Sequence, residues 1–184
     1  MKTGIFDIET SSLYANTGII LCAQIKTYGS KELKTVRADK FKNWKTRKSD
    51  NREVVMAVME ALDDYDILVA HNGQYFDKAW LNSACLKYGL PPRLRFEKFV
   101  DPCQQARRHL RLARNSLSAL LEYFDIPENK TPIRFNHWLT ASLDSDRKAM
   151  GYIVEHCQRD VLVLEKAYGR TRKLIKEINE RGGA

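Results

Sequence analysis

Gly4-Ile5-Phe6-Asp7-Ile8-Glu9-Thr10 is the stretch on which the reading of this chain turns. Ile5, Phe6 and Ile8 are strand formers, and residues 3–9 read as a β-strand. Successive side chains of a strand point to opposite faces, so Asp7 and Glu9 project from the same one. Adjacent like charges raise each other's cost of ionisation. A hard divalent cation held by oxygen ligands is the usual relief. The pair therefore calls for further acids elsewhere in the chain.

The strand sits in a chain of 184 residues, long enough for one domain with a real core, and residues 1–184 are read as a single domain. No apolar run reaches the roughly 18 residues of a membrane span. Asp7 and Glu9 also interrupt any N-terminal signal peptide. Cys22, Cys85, Cys103 and Cys157 are scattered and form no C-x-x-C pair. They read as reduced, buried thiols of a cytoplasmic protein and argue against zinc. The net charge of +8 favours a polyanionic partner, nucleic acid ahead of an acidic membrane surface. A basic surface kept for solubility is the plainer alternative.

Further strands are expected at 19–28 and 32–39, joined by a Gly29-Ser30 turn, with Leu33 and Val36 pointing inward. A basic loop, 40–50, holds Phe41 and Trp44. Asp50 with Glu53 suggests a capping box before a helix carrying Val54, Val55, Val58, Met59 and Leu62. A short strand at 66–70 leads through His71-Asn72-Gly73 into a helix over 76–88. Phe99-Val100 reads as a last strand, and Asp101-Pro102 as a helix start. Helices follow near 103–113 and 116–124, then an irregular segment over 127–145 and a long helix over 147–178. This order fits one α/β domain, a central mixed sheet flanked by helices.

The second candidate acid is Asp77, just past a strand end, where open α/β sheets commonly place ligand sites. An Asp at a helix start also serves as an N-cap. The third is Asp160, which shares a helix face with His156 beside the apolar Ile153, Val154, Cys157, Val161 and Leu164. A His–Asp hydrogen bond alone would satisfy that pair. Taken together, four carboxylates and one imidazole are what two-metal phosphodiester cleavage needs, with two divalent ions about 4 Å apart and a base that works near neutral pH.

The motifs Asp7-x-Glu9, Asn72-x-x-x-Phe76-Asp77 and His156-x-x-x-Asp160 resemble those of the DEDD exonucleases of the ribonuclease-H-like superfamily. The second takes the form seen in proofreading domains of family B DNA polymerases. Residues 115–126 are similar to the helix between the second and third motifs. The resemblance spans residues 4 to 168. It implies a ribonuclease-H-like α/β fold with a five- to six-stranded mixed sheet. It also implies Asp7, Glu9, Asp77 and Asp160 as ligands of two Mg²⁺ or Mn²⁺ ions, with His156 as general base. The activity it implies is 3′–5′ removal of nucleoside monophosphates from DNA or RNA, most simply from single-stranded 3′ ends. A binding module that has lost catalysis and a ribonuclease-H-like endonuclease are the rival readings.

The family divides by its third motif, with tyrosine four residues before the last Asp in one branch and histidine five before it in the other. This chain has histidine at the tyrosine spacing. One residue rotates a helical side chain by roughly 100°. His156 thus stands where the tyrosine would, with the chemistry of the other branch.

The resemblance further implies that Thr10, Ser11, Ser12, Leu13 and Tyr14 line the terminal nucleotide, with Leu13 or Tyr14 packing on its base. Asn72 would position substrate or brace its turn, and Phe76 would support Asp77. Arg107, Arg108, Arg111 and Arg114 make a basic helical segment, with 107, 111 and 114 on one face. Lys40, Lys42, Lys45, Arg47 and Lys48 make a basic loop around Trp44. Both patches are candidates for phosphate contact, as are Lys130 and Arg134 more weakly. A solvated basic face is the alternative. His71, His109 and His137 read as structural or solvent-facing, and Tyr152 as no substitute for His156.

Overall fold

The acid-bearing strand forms as its alternation predicts. In the computed structural model, which describes residues 1–92, 99–127 and 135–175, β1 spans Thr3–Thr10 at the centre of a five-stranded sheet. The other strands are β2 (Ile20–Thr27), β3 (Leu33–Arg37), β4 (Ile67–Val69) and β5 (Phe99–Val100), in the order β3-β2-β1-β4-β5. β1, β2 and β3 pair antiparallel, while β4 and β5 run parallel to β1. The sheet is therefore mixed, and the chain is an α/β fold. The helices are α1 (Asn43–Thr46), α2 (Arg52–Asp63), α3 (Asp77–Lys87), α4 (Pro102–His109), α5 (Leu117–Tyr123), α6 (Phe135–Asp144) and α7 (Arg147–Thr171).

The two faces of β1 bury different partners. Phe6 and Ile8 join Leu21, Ala23 and Ile25 of β2 in a core with α2 and with Trp80, Leu81 and Ala84 of α3. Ile5 faces the other way, joining Val69, Val100 and the α7 residues Val161, Leu164 and Tyr168. By alternation Asp7 and Glu9 lie on the Ile5 side, under α7. Leu33 and Val36 of β3 divide likewise between the two cores, each only half-buried at the sheet edge.

Several expected boundaries move. Asp50 and Glu53 form no capping box, since Asn51 stands at the α2 cap position without a side-chain cap bond. The Asn51 amide instead pairs with the backbone of Ile20, Oδ1 accepting from N at 2.8 Å and Nδ2 donating to O at 3.1 Å. That contact closes the end of β2 opposite the Glu9/Thr10 register shift. Asp50 Oδ1 accepts only a long bond from Arg52 N at the helix start, at 3.4 Å, and α2 forms because it buries Val54, Val55, Val58, Met59 and Leu62. At about 1.5–3 kcal/mol for each such side chain, burial outweighs a cap worth about 1 kcal/mol. The segment 40–50 contains the short α1, whose Trp44 is buried.

α4 ends at His109, with Leu110 extended, four residues before the expected end at 113. Continued, it would stack Arg107, Arg111 and Arg114 as like charges on one face. The expected irregular stretch 127–145 contains α6, which packs along α7. α7 begins at Arg147, where the Asp146 side chain accepts from the N–H groups of Lys148 and Ala149. It gives way after Thr171 to a 3₁₀ turn over Arg172–Leu174; the rest of the expected helix, 176–178, lies outside the described residues.

Asp101 holds the end of β5 to the turn after β4. Its carboxylate caps α4 through the N–H groups of Cys103 and Gln104, and also accepts from Asn72 N at 2.9 Å and Gln74 N at 3.2 Å. That turn is tight: a Cβ on Gly73 would lie 2.4 Å from Ala70 Cβ, so only glycine fits. Asp101→Ala strands four N–H groups and should cost about 2–4 kcal/mol. A urea titration checks this: the midpoint should fall with an unchanged m-value, and Asp101→Asn should recover part of the loss. An alanine variant with the wild-type midpoint would remove Asp101 from this role.

Candidate active site

The acids meet at the carboxyl-terminal end of β1. β4 pairs with β1 only over Thr3–Ile5, which leaves the later residues of β1 without that neighbour. There Asp77, the first residue of α3, accepts a hydrogen bond from Ile8 N through Oδ1 at 3.1 Å. Asp77 is 2% exposed and Phe76, not Asp77, holds the α3 cap position; the Asp77 carboxylate accepts from the N–H of Ile8 on β1 as well as from its own.

α7 brings the other groups. Cys157 Sγ donates at 3.4 Å to Asp7, contacting both its carbonyl O and Oδ2. Burial pushes the Cys157 thiol up, so it stays the protonated donor. His156 Nε2 lies 3.5 Å from Asp160 Oδ2 and 4.0 Å from Glu9 Oε1. The imidazole thus bridges the strand acid and the helix acid, as the shared helical face required. From α6, Trp138 Nε1 donates to Glu9 Oε2 at 2.9 Å, and its ring meets His156 edge to face.

These carboxylates resist ionisation. Asp7 is held well above the usual carboxylate range by burial first, then by the charges of Asp77, Glu9 and Asp160. Burial, with Asp160 and Asp77, pushes Glu9 up to about 8 against the Trp138 hydrogen bond. Burial pushes Asp77 up to about 7, the Ile8 N–H opposing it and Asp101 adding to it. Asp7 and Glu9 each feel the charges of Asp77 and Asp160, so the carboxylates are crowded at this end of β1.

The remaining candidates divide. Ser11 Oγ accepts from Ile19 N and Thr10 Oγ1 donates to Ser12 O, so both brace the loop after β1. Leu13 and Tyr14 are 75% and 70% exposed. Thr10, Ser11, Ser12 and Leu13 line a cavity of about 320 Å³ beside Glu9, together with Phe76 and Trp138. Asn72 takes a left-handed conformation at φ 57° and braces its turn through its backbone. His71 is structural, its Nε2 on Asn115 O at 3.0 Å. Arg107 is exposed on the last turn of α4, whereas Arg111 and Arg114 lie past its end, so the expected common face does not exist. Arg114 instead stands 3.8 Å from Glu122. Trp44 is core and cannot stack on a base, while Lys42, Lys45 and Arg47 around it are exposed. Lys130 and Arg134 lie outside the described residues. Tyr152 stacks on His137 at 5.1 Å. Trp138 and Cys157 are the contacts that motif reading missed; a lone Trp in a segment read as loop carried no spacing signal.

Among the described residues, no three His, Cys, Asp or Glu side chains form a ready-made metal cage. Asp7, Glu9 and Asp77 are each turned onto a protein donor. The donor set nevertheless fits hard divalent cations: all four acids offer oxygen, and their mutual repulsion is what a cation would relieve.

An acid-lined cleft at the end of a central mixed strand, covered by a C-terminal helix, defines a ribonuclease-H-like α/β domain. The chain belongs to the RNase_H superfamily, which its residues 5–171 match. Among solved structures it is similar to the family B DNA polymerase from the hyperthermophilic archaeon Pyrobaculum calidifontis, at 17% identity and a TM-score of 0.69. The match covers 95% of this chain and 24% of that one, so the chain spans about a quarter of the polymerase's length, and the likeness is one of fold. No curated protein matches the chain. The resemblance is thereby borne out at the level of the ribonuclease-H-like superfamily, and membership of it supports a nuclease type of function.

Because folding raises the proton affinity of Asp7, Glu9 and Asp77, protonation favours the folded state. Their contribution is fully present below the ordinary carboxylate range and is lost as pH rises through about 7 and about 8, the values for Asp77 and Glu9. With a chelator present, the melting temperature should fall from pH 5 to pH 8.5, and Asp7→Asn should flatten the slope. A wild-type protein equally stable across this range would contradict the crowded-acid picture.

Proposed function

We propose that this chain is a divalent-cation-dependent 3′–5′ exonuclease that releases nucleoside monophosphates from DNA or RNA. The observation that carries the reading is the meeting of Asp7, Glu9 and Asp77 with the Asp160–His156 pair, in which His156 Nε2 faces both Glu9 and Asp160. Asp7, Glu9, Asp77 and Asp160 would hold two Mg²⁺ or Mn²⁺ ions. When bound, these ions supply charge stabilisation at the attacking and leaving oxygens.

The chain's own residues supply the rest. His156, at the edge of the acid cluster, takes a proton from the attacking water. The new bond joins water oxygen to phosphorus, and the bond to the preceding 3′ oxygen breaks. The cavity beside Glu9 offers Leu13, Phe76 and Trp138 as an apolar lining for the terminal base. Exposed Lys42, Lys45, Arg47 and Arg107 suit a polyanion, and a single-stranded 3′ end is the substrate these features favour. No described helix is long and apolar enough to cross a membrane. The four cysteines are buried, with no disulfide among the described residues, which suits a reducing, cytoplasmic setting.

Oligonucleotides labelled at either end, as single-stranded DNA, duplex DNA and RNA, test this with Mg²⁺ or Mn²⁺. A ladder shortening from the 3′ end is expected, strongest on single strands and lost with chelator. Asp7→Ala should fall to background while melting no earlier than wild type in chelator, since it removes a repelled charge. His156→Ala should lose roughly 10²–10⁴-fold in rate near neutral pH. A discrete internal cut would mean an endonuclease, and binding without cleavage would mean a binding module.

A further inference from the structure

Trp138 belongs to none of the three motifs, yet it touches two of the residues they contribute. Its indole N–H holds Glu9 Oε2 at 2.9 Å. Its ring meets the His156 imidazole with centroids 6.3 Å apart and planes at 85°. Glu9 thus has one oxygen committed to the indole and the other, Oε1, directed at His156 Nε2, 4.0 Å away. The terminal torsion of a glutamate is soft, so a donor on one oxygen decides where the other points. An edge-to-face contact likewise restricts the plane of an imidazole.

The platform under Trp138 is firm. α6 packs along α7, with Ala141 fully buried between them, and the Lys48 ammonium bonds Leu143 O at its far end. The indole is therefore placed from outside the helix that carries His156.

We infer that Trp138 is a positioning residue that orients both Glu9 for cation binding and His156 for proton transfer. The inference rests on the exonuclease reading. Losing a hydrogen-bond partner of a metal-ligating side chain typically costs roughly 10–100-fold in metal affinity or activity.

Calorimetry with Mn²⁺ alone, without nucleic acid, gives a readout separate from turnover. Trp138→Phe keeps an apolar ring but no donor, and should bind Mn²⁺ roughly 10–100-fold more weakly. In a Glu9→Gln background the same change should add little, because the partner is already altered. Full additivity would overturn the inference. If wild type binds and cleaves, and Trp138→Phe binds Mn²⁺ as tightly, the inference fails while the exonuclease reading stands. If wild type neither binds nor cleaves, the exonuclease reading fails, and the inference with it. Should Trp138→Phe not fold, ¹⁵N-indole spectra of the protein decide. The Trp138 signal should move on adding Mg²⁺ and in Glu9→Gln, while that of core Trp44 stays still. A Trp138 signal indifferent to both would sink the proposal.

Discussion

Two carboxylates on one covered face of a central strand impose the condition that the surrounding structure meets. Asp7 and Glu9 lie beneath α7, and charged groups there cannot be bounded by apolar atoms alone. Each covering element answers with a donor set into an otherwise apolar surface. α7 offers the Cys157 thiol among valines and leucines, and α6 offers the Trp138 indole. α3 adds another acid, yet that acid is secured by an N–H of β1 itself. Donors to Asp7, Glu9 and Asp77 offset burial and repulsion only in part, since all three still hold protons far more tightly than ordinary carboxylates.

What the sequence made legible was local and periodic. β1 shows its two faces in the alternation of Ile5, Asp7 and Glu9 with Phe6 and Ile8. α2 shows its buried stripe, and Asp101-Pro102 its helix start. The shared face of His156 and Asp160 follows from helical spacing alone, and the structure sets them 3.5 Å apart. The family's motifs then joined β1, α3 and α7 into one site.

What stayed hidden depends on side chains far apart in sequence. Asp50 and Glu53 suggest a capping box, but Asn51 holds the cap position and its amide closes the end of β2 at Ile20. Asp101 is a cap and also a brace for a turn that lies 29 positions earlier in the chain. α6 carries Leu139 and Leu143 on its solvent side and fully buries only Ala141 among its described side chains, so its sequence has no stripe to read. α4 stops where arginines would stack, a repulsion that composition shows but a periodic template ignores. In the loop after β1, residues of similar promise part ways: Ser11 is consumed by the backbone of Ile19, while Leu13 stands in solvent beside the cavity.

The bond between Asp77 and Ile8 ties the fate of the site to that of the fold. One oxygen of Asp77 docks the first turn of α3 onto the open margin of β1, and the same side chain belongs to the acid cluster. A descendant of this chain that lost catalysis could not drift freely here. Alanine would leave the Ile8 N–H buried without that acceptor, whereas asparagine would keep an acceptor for it and shed the charge. Change at this position is therefore constrained by the fold as well as by the acid cluster, and asparagine is its mildest form.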